Sequence, residues 1–415
     1  MEIESWNKLF KKSVKIENDL TLVNSTITVG NQNSYSDCNI PLSNSVIYQA
    51  SSNEFADLQK KNQAIFNPLI SVSEYISNTN EFLFGIPGSP RISLGGAIAA
   101  DTHGKDGYLG KNFGSNVETL YLKIASGEVL KLDNKNNPDI LWSTIGGFGL
   151  TGQIVGIEMK QDKLPYSKFF NTELKINKGI DKLIDCILNH DDRYFLAVVD
   201  LVNKGFRWIT KISETTSKEV NLYNVKNYKE IKVPLGFIGN NFLYTKNLLN
   251  LFYPYMQKDG INHFSNFFFT QGGIRDPRNF CKNQKIVEVQ FSLPMNEIKN
   301  LGDILTMAKK YFKPIACSVK ILGFDLNKNN LSFYQRGIAV NFDFPLSDFN
   351  FDKLNEIYIK IIKYNGKINL AKDSFLTPSL FLKMYPEHSS WLKTVKKIDP
   401  DKKFQSKMSK RLHIK

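Results

Sequence analysis

Cysteine and histidine are scarce in this chain of 415 residues, which has four of the first and five of the second. The cysteines are widely separated, none belongs to a Cys-x-x-Cys pair, and no histidine stands at metal-ligand spacing from any of them. These spacings argue against a metal site and favour reduced, buried thiols. The four residues are Cys38, Cys186, Cys281 and Cys317.

Long apolar runs are also missing. No segment approaches the roughly 18–20 apolar residues that a membrane helix needs, and the N-terminal stretch MEIESWNKLFKK is charged and lacks the apolar core of a secretory signal. We therefore expect a cytoplasmic protein. Hydrophobic residues make up 42% and charged residues 23% of the chain, which is typical of a globular protein of two domains or one large bilobed fold.

Arginine is scarce although the net charge is +14, because only seven of the 54 basic residues are arginines. Nucleic acids are commonly read by arginine, and the lysines here are dispersed along the whole chain. A basic nucleic-acid-binding protein stays open as an alternative of another class; it predicts clustered arginine and aromatic residues and no bound chromophore. Solvated surface lysines, or attraction to an anionic membrane surface or a phosphorylated substrate, also explain the charge.

The apolar periodicity and turn signals predict an α+β fold. A hairpin is expected where Val117–Lys123 and Val129–Leu132 flank Ser126–Gly127. A short helix is expected where Asn137, as cap, precedes Pro138. Other predicted elements are strands at Ser25–Val29, around Phe66, at Phe82–Ile86, Tyr194–Val202 and Ile286–Leu293, amphipathic helices through 298–308 and 354–362, and capped helices at Thr377 and Ser389.

Two glycine-rich segments, PGSPRISLGGA and IGGFGLTG, are candidate phosphate-binding loops, because glycine lets backbone N–H groups approach an anion. Neither segment fits the G-x-G-x-x-G dinucleotide fingerprint or the G-x-x-x-x-G-K-[ST] loop. Classical NAD-binding and nucleotide-hydrolysing folds therefore lose most of their support. The combination of the two segments with the Thr-His-Gly-Lys turn at 102–105 strengthens this interpretation.

The string GGAIAADTHGK at 95–105, with VNFDFP at 340–345, AKDS at 371–374 and DPDKKFQSKMSKRL at 399–412, resembles a known family. It is similar to the FAD-binding oxidoreductases of the vanillyl-alcohol oxidase and p-cresol methylhydroxylase type. Within them it is most similar to the decaprenylphosphoryl-β-D-ribose 2-oxidases. The resemblance implies two lobes: an FAD-binding domain at 1–165, a substrate domain with an antiparallel sheet at 166–368, and a C-terminal segment, 369–415, that returns to the FAD domain.

By the same resemblance, a set of loop and strand residues would bind FAD. His103 to Lys105 would lie near the flavin and its ribityl chain, and Ile154 near the adenine. Asn33 stands where many relatives carry the histidine that bonds flavin covalently, so the FAD should be non-covalent. The predicted cofactor-binding residues are Asn33, Ser34, Tyr35, Gly88, Leu94, Gly95, Gly96, Ala97, His103, Gly104, Lys105, Ile154 and Asn369.

The resemblance also implies a catalytic set. Lys372 occupies the family's catalytic lysine position and would act as a base or stabilise the reduced flavin electrostatically. Lys320 matches a substrate-side lysine, Gln290 a strand residue that faces the flavin, and Tyr35 an active-site tyrosine. Asn341 stands where mycobacterial members carry cysteine. Lys320, Leu322 and Asn341 are the predicted substrate contacts, and the changes at Leu322, Asn341 and Asn369 put the exact substrate in doubt.

These inferences predict an FAD-dependent enzyme that oxidises a sugar hydroxyl to a ketone by hydride transfer to flavin N5. The implied substrate is a polyprenyl-phosphate-linked pentose, oxidised as half of an epimerisation for cell-envelope glycan synthesis. A short-chain reductase would be the partner, and the enzyme would lie in the cytoplasm or peripherally at the inner membrane surface. An alditol or aldonolactone oxidase is the second enzyme candidate. A degenerate flavin fold kept as a scaffold is the third hypothesis.

Overall fold

The structure is a computed structural model that describes residues 1–17, 20, 24–48, 53–161, 164, 166–191, 193–201, 205–217, 259–269, 285–312, 314, 316–323 and 331–415. Cys281 and the predicted strand end at Val202 lie outside the described residues. Within the described ranges, helices accompany a large antiparallel sheet, so the predicted α+β class is confirmed. No helix in these ranges is long and apolar enough to cross a membrane.

Short strands and helices form the N-terminal part of the fold. Strand β5 (Ser45–Tyr48) pairs in parallel with β3 (Lys15–Glu17) and with β4 (Thr28–Val29). Strand β1 (Glu2–Glu4) pairs antiparallel with β2 (Lys11–Ser13). Helices α1 (Glu54–Lys61), α2 (Val72–Thr79) and α3 (Leu94–Ala99) follow.

The predicted hairpin is confirmed. Strands β6 (Val117–Lys123) and β7 (Val129–Leu132) are antiparallel neighbours, and the turn between them has Gly127 at a φ of +91°. Helix α4 (Pro138–Thr144) begins at the predicted proline. Asn137 occupies the predicted N-cap position, but it adopts a left-handed conformation and its side chain makes no capping hydrogen bond. Strand β8 (Gln153–Met159) pairs with the other edge of β6.

The centre of the fold is an eight-stranded sheet in which neighbouring strands are antiparallel, in the order β12-β9-β11-β10-β14-β15-β13-β16. The strands are β9 (Phe169–Lys178), β10 (Tyr194–Val199), β11 (Arg207–Thr216), β12 (Gly260–His263), β13 (Ile286–Pro294), β14 (Ala316–Leu322), β15 (Gly337–Pro345) and β16 (Lys367–Ile368). The helices interspersed with them are α5 (Ile180–Leu188), α6 (Phe264–Phe268), α7 (Leu301–Tyr311) and α8 (Phe351–Lys363).

The two faces of this sheet differ in chemistry, because side chains alternate between faces along each strand. One face is apolar and shares a core with α5, α7 and α8; Val289, Phe291 and Phe342 belong to it. The opposite face carries polar residues, including the directly opposed pair Gln290 and Asn341. A sheet face that is polar yet largely buried is a natural place for a binding site, since such groups need partners.

The C-terminal segment packs back against the N-terminal part. It contains α9 (Pro378–Met384), α10 (His388–Ile398) and α11 (Lys407–Arg411). The indole N–H of Trp391 donates to the carbonyl oxygen of Ser143 at 2.9 Å, and Thr26 forms a parallel bridge with Phe404. The domain boundaries at 165 and 368 stay a prediction.

Several local predictions need correction. Thr377 caps α9 as expected, accepting from the N–H of Leu380 at 3.4 Å, but α10 begins one residue before Ser389 and has no side-chain cap. The strands predicted around Phe66 and Phe82 are single bridges, to Ile157 and Leu164. These apolar segments are buried by packing rather than by a strand ladder, which periodicity alone does not distinguish.

Candidate active site

Three chain segments converge over the polar face of the sheet: the loop at 31–37, the loop at 101–107 and the segment at 369–376. The first and third are joined where the hydroxyl of Ser36 donates to the carbonyl oxygen of Ala371 at 3.0 Å. The second docks on the sheet, since the N–H of Phe195 in β10 donates to the carbonyl oxygen of Lys105 at 3.0 Å. The predicted catalytic residues therefore come from distant parts of the sequence.

Lys372 lies at the centre of this convergence. Its Nζ donates to Oε1 of Glu288 on β13 and sits 4.4 Å from the ring centroid of Tyr35, a cation–π contact. Burial alone would lower the pKa of Lys372, but the carboxylate of Glu288 outweighs it and raises the pKa above its ordinary value. The side chain is therefore an ammonium ion at neutral pH.

His103 faces the sheet from the 101–107 loop. Its Nε2 lies 3.2 Å from Oε1 of Gln290, which also accepts from Nδ2 of Asn369 at 2.6 Å. Burial, followed by the charges of Lys320 and Lys372, holds the pKa of His103 well below its usual range, so its ring is neutral. Its Nδ1 is buried and has no hydrogen-bond partner within the described ranges, which leaves it available to a bound molecule.

Three further lysines lie near this histidine. Nζ of Lys105 donates to the carbonyl oxygen of Phe268 at 2.5 Å, and Nζ of Lys211 on β11 to that of Asn266 at 3.5 Å. Lys320 on β14 makes no hydrogen bond or ion pair in the part of the chain that the structure describes. Burial lowers the pKa of Lys211 and of Lys320 to about 8, and the pKa of Lys105 well below its usual range.

Asp106 holds the loop that carries His103 and Lys105 against the backbone at Gly85. Its Oδ2 accepts from the N–H of Gly85 at 2.9 Å, and burial raises its pKa to about 6. A Cβ at Gly104 would stand 2.0 Å from Oδ1 of Asp106, so only glycine fits there. The glycine in the Thr-His-Gly-Lys turn therefore serves close packing beneath the site.

The two predicted cofactor loops differ in which backbone N–H groups are free to donate. The N–H groups of Leu94 and Gly95 already donate to the carbonyl oxygens of Ile70 and Pro68, at 2.8 and 2.9 Å. At 31–34, in contrast, Gln32 has a φ of +54°, a conformation that turns successive N–H groups toward one point. The N–H groups of 32–34 make no hydrogen bond within the described ranges.

The remaining predicted cofactor residues differ in burial and in their contacts with the 31–37 loop. Nδ2 of Asn33 donates to the carbonyl oxygens of Asn31 and Arg91, at 3.0 and 2.9 Å, and so ties the two predicted loops together. The carbonyl oxygen of Ser34 accepts from the N–H of Trp6 at 2.8 Å. Gly96 is exposed and Gly88 half-buried, whereas Leu94, Ala97 and Ile154 are buried.

The predicted substrate residues share one face of the sheet. Asn341 lies opposite Gln290, accepts from the hydroxyl of Ser318, and donates to Oδ1 of Asp343 at 3.3 Å. Lys320 and Leu322 are two residues apart on β14, so their side chains take the same face as Ser318 and its partner Asn341. Leu322 is fully buried there. The contacts of these residues with a substrate stay predictions.

Sequence reasoning missed Glu288, Asp343 and Lys211. Glu288 lies two residues before Gln290 on a predicted strand, and Asp343 two residues after Asn341 within the string VNFDFP. A period of two places each of them on the same face as its neighbour. That alternation was the signal that could have found both carboxylates.

Comparison with known proteins finds a relative along most of the chain. No protein-family model matches the chain. The decaprenylphosphoryl-beta-D-ribose oxidase of Mycolicibacterium smegmatis is 26% identical over 356 residues, which cover 79% of this chain and 75% of that protein. The chain is a relative of this oxidase.

A second similarity is shorter. A protein of Streptomyces coelicolor, described as an uncharacterized protein in the mprA 5′ region, is 30% identical over 122 residues, or 29% of this chain and 32% of that protein. The relationship to the oxidase supports an oxidoreductase and covers most of both chains.

Proposed function

We propose that this protein oxidises a sugar hydroxyl to a ketone with non-covalent FAD, acting on a polyprenyl-phosphate-linked pentose. The observation that carries the proposal is the convergence of Lys372, His103 and Gln290 on one buried polar face in a relative of a sugar oxidase. The two-lobed FAD-binding architecture, with its boundaries at 165 and 368, belongs to the same proposal.

The residues present fit FAD. The unbonded N–H groups of 32–34 would hold its pyrophosphate, and the buried Nδ1 of His103, which has no partner in the described ranges, would supply a polar contact at the other end. When bound, FAD accepts a hydride from an alcohol carbon. Asn33 has an amide where a covalent link would need a nucleophilic ring, which supports a dissociable cofactor.

The side chains of this chain would hold the substrate and its proton. Two of the three N–H bonds of the Lys372 ammonium are free of Glu288 and can donate to the hydroxyl oxygen, which stabilises negative charge as it develops there. Neutral His103 would accept or donate a hydrogen bond without adding a second positive charge. Burial of the whole group strengthens each of these interactions.

The cluster of Lys105, Lys211 and Lys320 supports a phosphorylated substrate. Buried ammonium groups are costly unless they meet an anion, and the charge of Asp106 acts on Lys105 and Lys320. A phosphoryl group would supply the missing charge. An alditol or aldonolactone carries no such group, which favours the lipid-phosphate substrate; a membrane-associated location and a short-chain reductase partner follow from it as further proposals.

The affinity for a phosphorylated substrate should fall as the pH rises. The pKa of Lys320 is lowered to about 8, so its charge is lost on passing upward through that pH, well before an ordinary lysine would lose it. We expect KM to rise by up to about tenfold per pH unit above pH 8, since one proton is involved. The measurement is KM for a phosphorylated pentose between about pH 7 and 9.5.

Lys320→Arg is the matched variant, because arginine stays charged across this range. It should keep a flatter profile, with the remaining slope due to Lys211, whose pKa is also lowered to about 8. A KM that is constant across the range in the wild type would contradict a phosphate contact at Lys320.

The experiment that tests the function is an absorption spectrum of the purified protein, repeated on the supernatant after acid precipitation. Flavin bands that move to the supernatant indicate non-covalent FAD; bands that stay in the pellet contradict the inference from Asn33. Bleaching of those bands by a lipid-linked pentose, but not by free alditols, distinguishes the two oxidase candidates. No flavin binding, even with added FAD, would overturn the proposal in favour of the nucleic-acid alternative.

A further inference from the structure

The strongest unassigned feature is a pair of carboxyl groups beside Lys372. Glu288 on β13 and Asp343 on β15 are directly opposed in the antiparallel register, which brings Cβ atoms to within about 5.5 Å of each other. Glu288 is 4% exposed, and its Oε2 is buried with no partner in the described part of the chain. Two carboxyl groups therefore lie beside one cation, Lys372, which is hydrogen-bonded to Glu288.

Charge balance explains how the pair is tolerated. Two ionised carboxylates this close repel each other strongly in a buried site. Burial, followed by the charge of Glu288, raises the pKa of Asp343 well above its usual range, although Lys372 and the amide of Asn341 oppose that rise. The rise favours a proton on Asp343, while Glu288 forms the ion pair with Lys372. The other charged or titratable groups facing this set are Lys320, His103 and Tyr35.

We propose that Glu288 and Asp343, holding one proton between them, form the proton acceptor that works through Lys372, a deeper description of the site that rests on the proposed function. The ammonium nitrogen of Lys372 has no lone pair to accept another proton, so it cannot act as a base alone. Its hydrogen bond to Oε1 of Glu288 gives the proton a direct route out.

The proton moves along this route in one balanced step. The substrate O–H bond breaks as its proton bonds to Nζ of Lys372, and a proton already on Nζ moves to Oε1 of Glu288. Lys372 leaves the step as charged as it entered, and Glu288 becomes neutral. The two electrons leave separately with the carbon hydride, which the FAD of the proposed function accepts. Glu288 and Asp343 are therefore positioning and relay residues, and Lys372 is the group that touches the substrate.

Infrared difference spectroscopy of the protein without substrate tests the shared proton independently of activity. The spectrum of the wild type minus that of Asp343→Asn at pH 7 should contain a carboxylic-acid C=O band, which the same subtraction with the exposed Asp352→Asn should lack. Other buried acids such as Asp37 and Asp106 contribute equally to both members and cancel. A difference spectrum without this band overturns the proposal.

Glu288→Gln gives a second measurement, should Asp343→Asn fail to fold. With Glu288 neutral, Asp343 becomes the counterion of Lys372 and should ionise, so the acid band should also disappear in this variant. The rate of flavin reduction should fall on the order of 100-fold, the usual contribution of a general base, with FAD still bound. Glu288→Asp, which keeps the carboxylate, should restore most of the rate.

The outcomes separate the two proposals. A wild-type protein that binds no FAD refutes the proposed function, and the infrared band then still reports whether the carboxyl pair holds a proton. FAD binding with a wild-type rate of flavin reduction in Glu288→Gln refutes the relay alone.

Discussion

Lys372→Ala should keep its FAD and lose turnover by about 10³-fold, because a preorganised charge at the reacting oxygen contributes about that much. The ammonium is fixed by Glu288 and by the ring of Tyr35, 4.4 Å away, so no neighbouring group can replace it. Lys320, whose pKa the charge of Lys372 helps to lower, lies on β14 rather than on the 369–376 segment. The measurement is the rate of flavin reduction under saturating substrate, with the flavin content of each preparation determined first.

Lys383→Ala is the control, since that lysine is exposed on α9 and lies outside the site. It should reduce flavin at the wild-type rate. If Lys372→Ala does the same while carrying its full complement of FAD, the role assigned to this lysine is wrong. If the variant instead loses its bound flavin, Lys372 would be assigned to cofactor binding.

Arg411→Met should lower the free energy of unfolding by about 3–5 kcal/mol, the usual cost of removing one partner from a buried ion pair. The guanidinium donates to both carboxylate oxygens of Asp37, at 2.9 and 3.0 Å, and to Oδ2 of Asp373 at 2.9 Å. Both aspartates are buried, and the variant would leave them without their cation. Urea denaturation at pH 7.5 checks the magnitude.

The destabilisation caused by Arg411→Met should become smaller as the pH falls. Burial already raises the pKa of Asp37 above its usual value, and Arg411 opposes that rise, so the variant raises it further. The folded state then binds more protons than the unfolded state between the two pKa values, and stability relative to the wild type increases as the pH falls. Lys410→Met, on the same helix but exposed, is the control and should be nearly neutral. An equal loss at pH 5.5 and 7.5 would contradict the electrostatic explanation.

Local signals in the sequence predicted the α+β class, the hairpin around Gly127 and the start of α4 at Pro138. These features depend on neighbouring residues, where turn chemistry and proline geometry decide the conformation. Asn137 stands at the N-cap position, but its left-handed conformation differs from the extended one in which an N-cap side chain accepts from the helix.

The contacts of the candidate site could not be predicted in the same way. Lys372 bonds to a residue 84 positions away, and His103 to one 187 positions away. Family resemblance pointed to Lys372, His103 and Gln290 but not to Glu288 or Asp343, whose importance lies in strand register. Register is set by the whole sheet, so a sequence pattern shows which face a carboxylate takes without showing which group it meets.

The ion pair between Asp37 and Arg411 also bears on how the protein is made. The two residues are 374 positions apart, and ribosomes add about 5–20 residues per second. Asp37 is therefore without this partner for about 20–75 s after it is synthesised. Because a buried carboxylate without its cation is costly, we expect the final packing of this region to follow synthesis of α11.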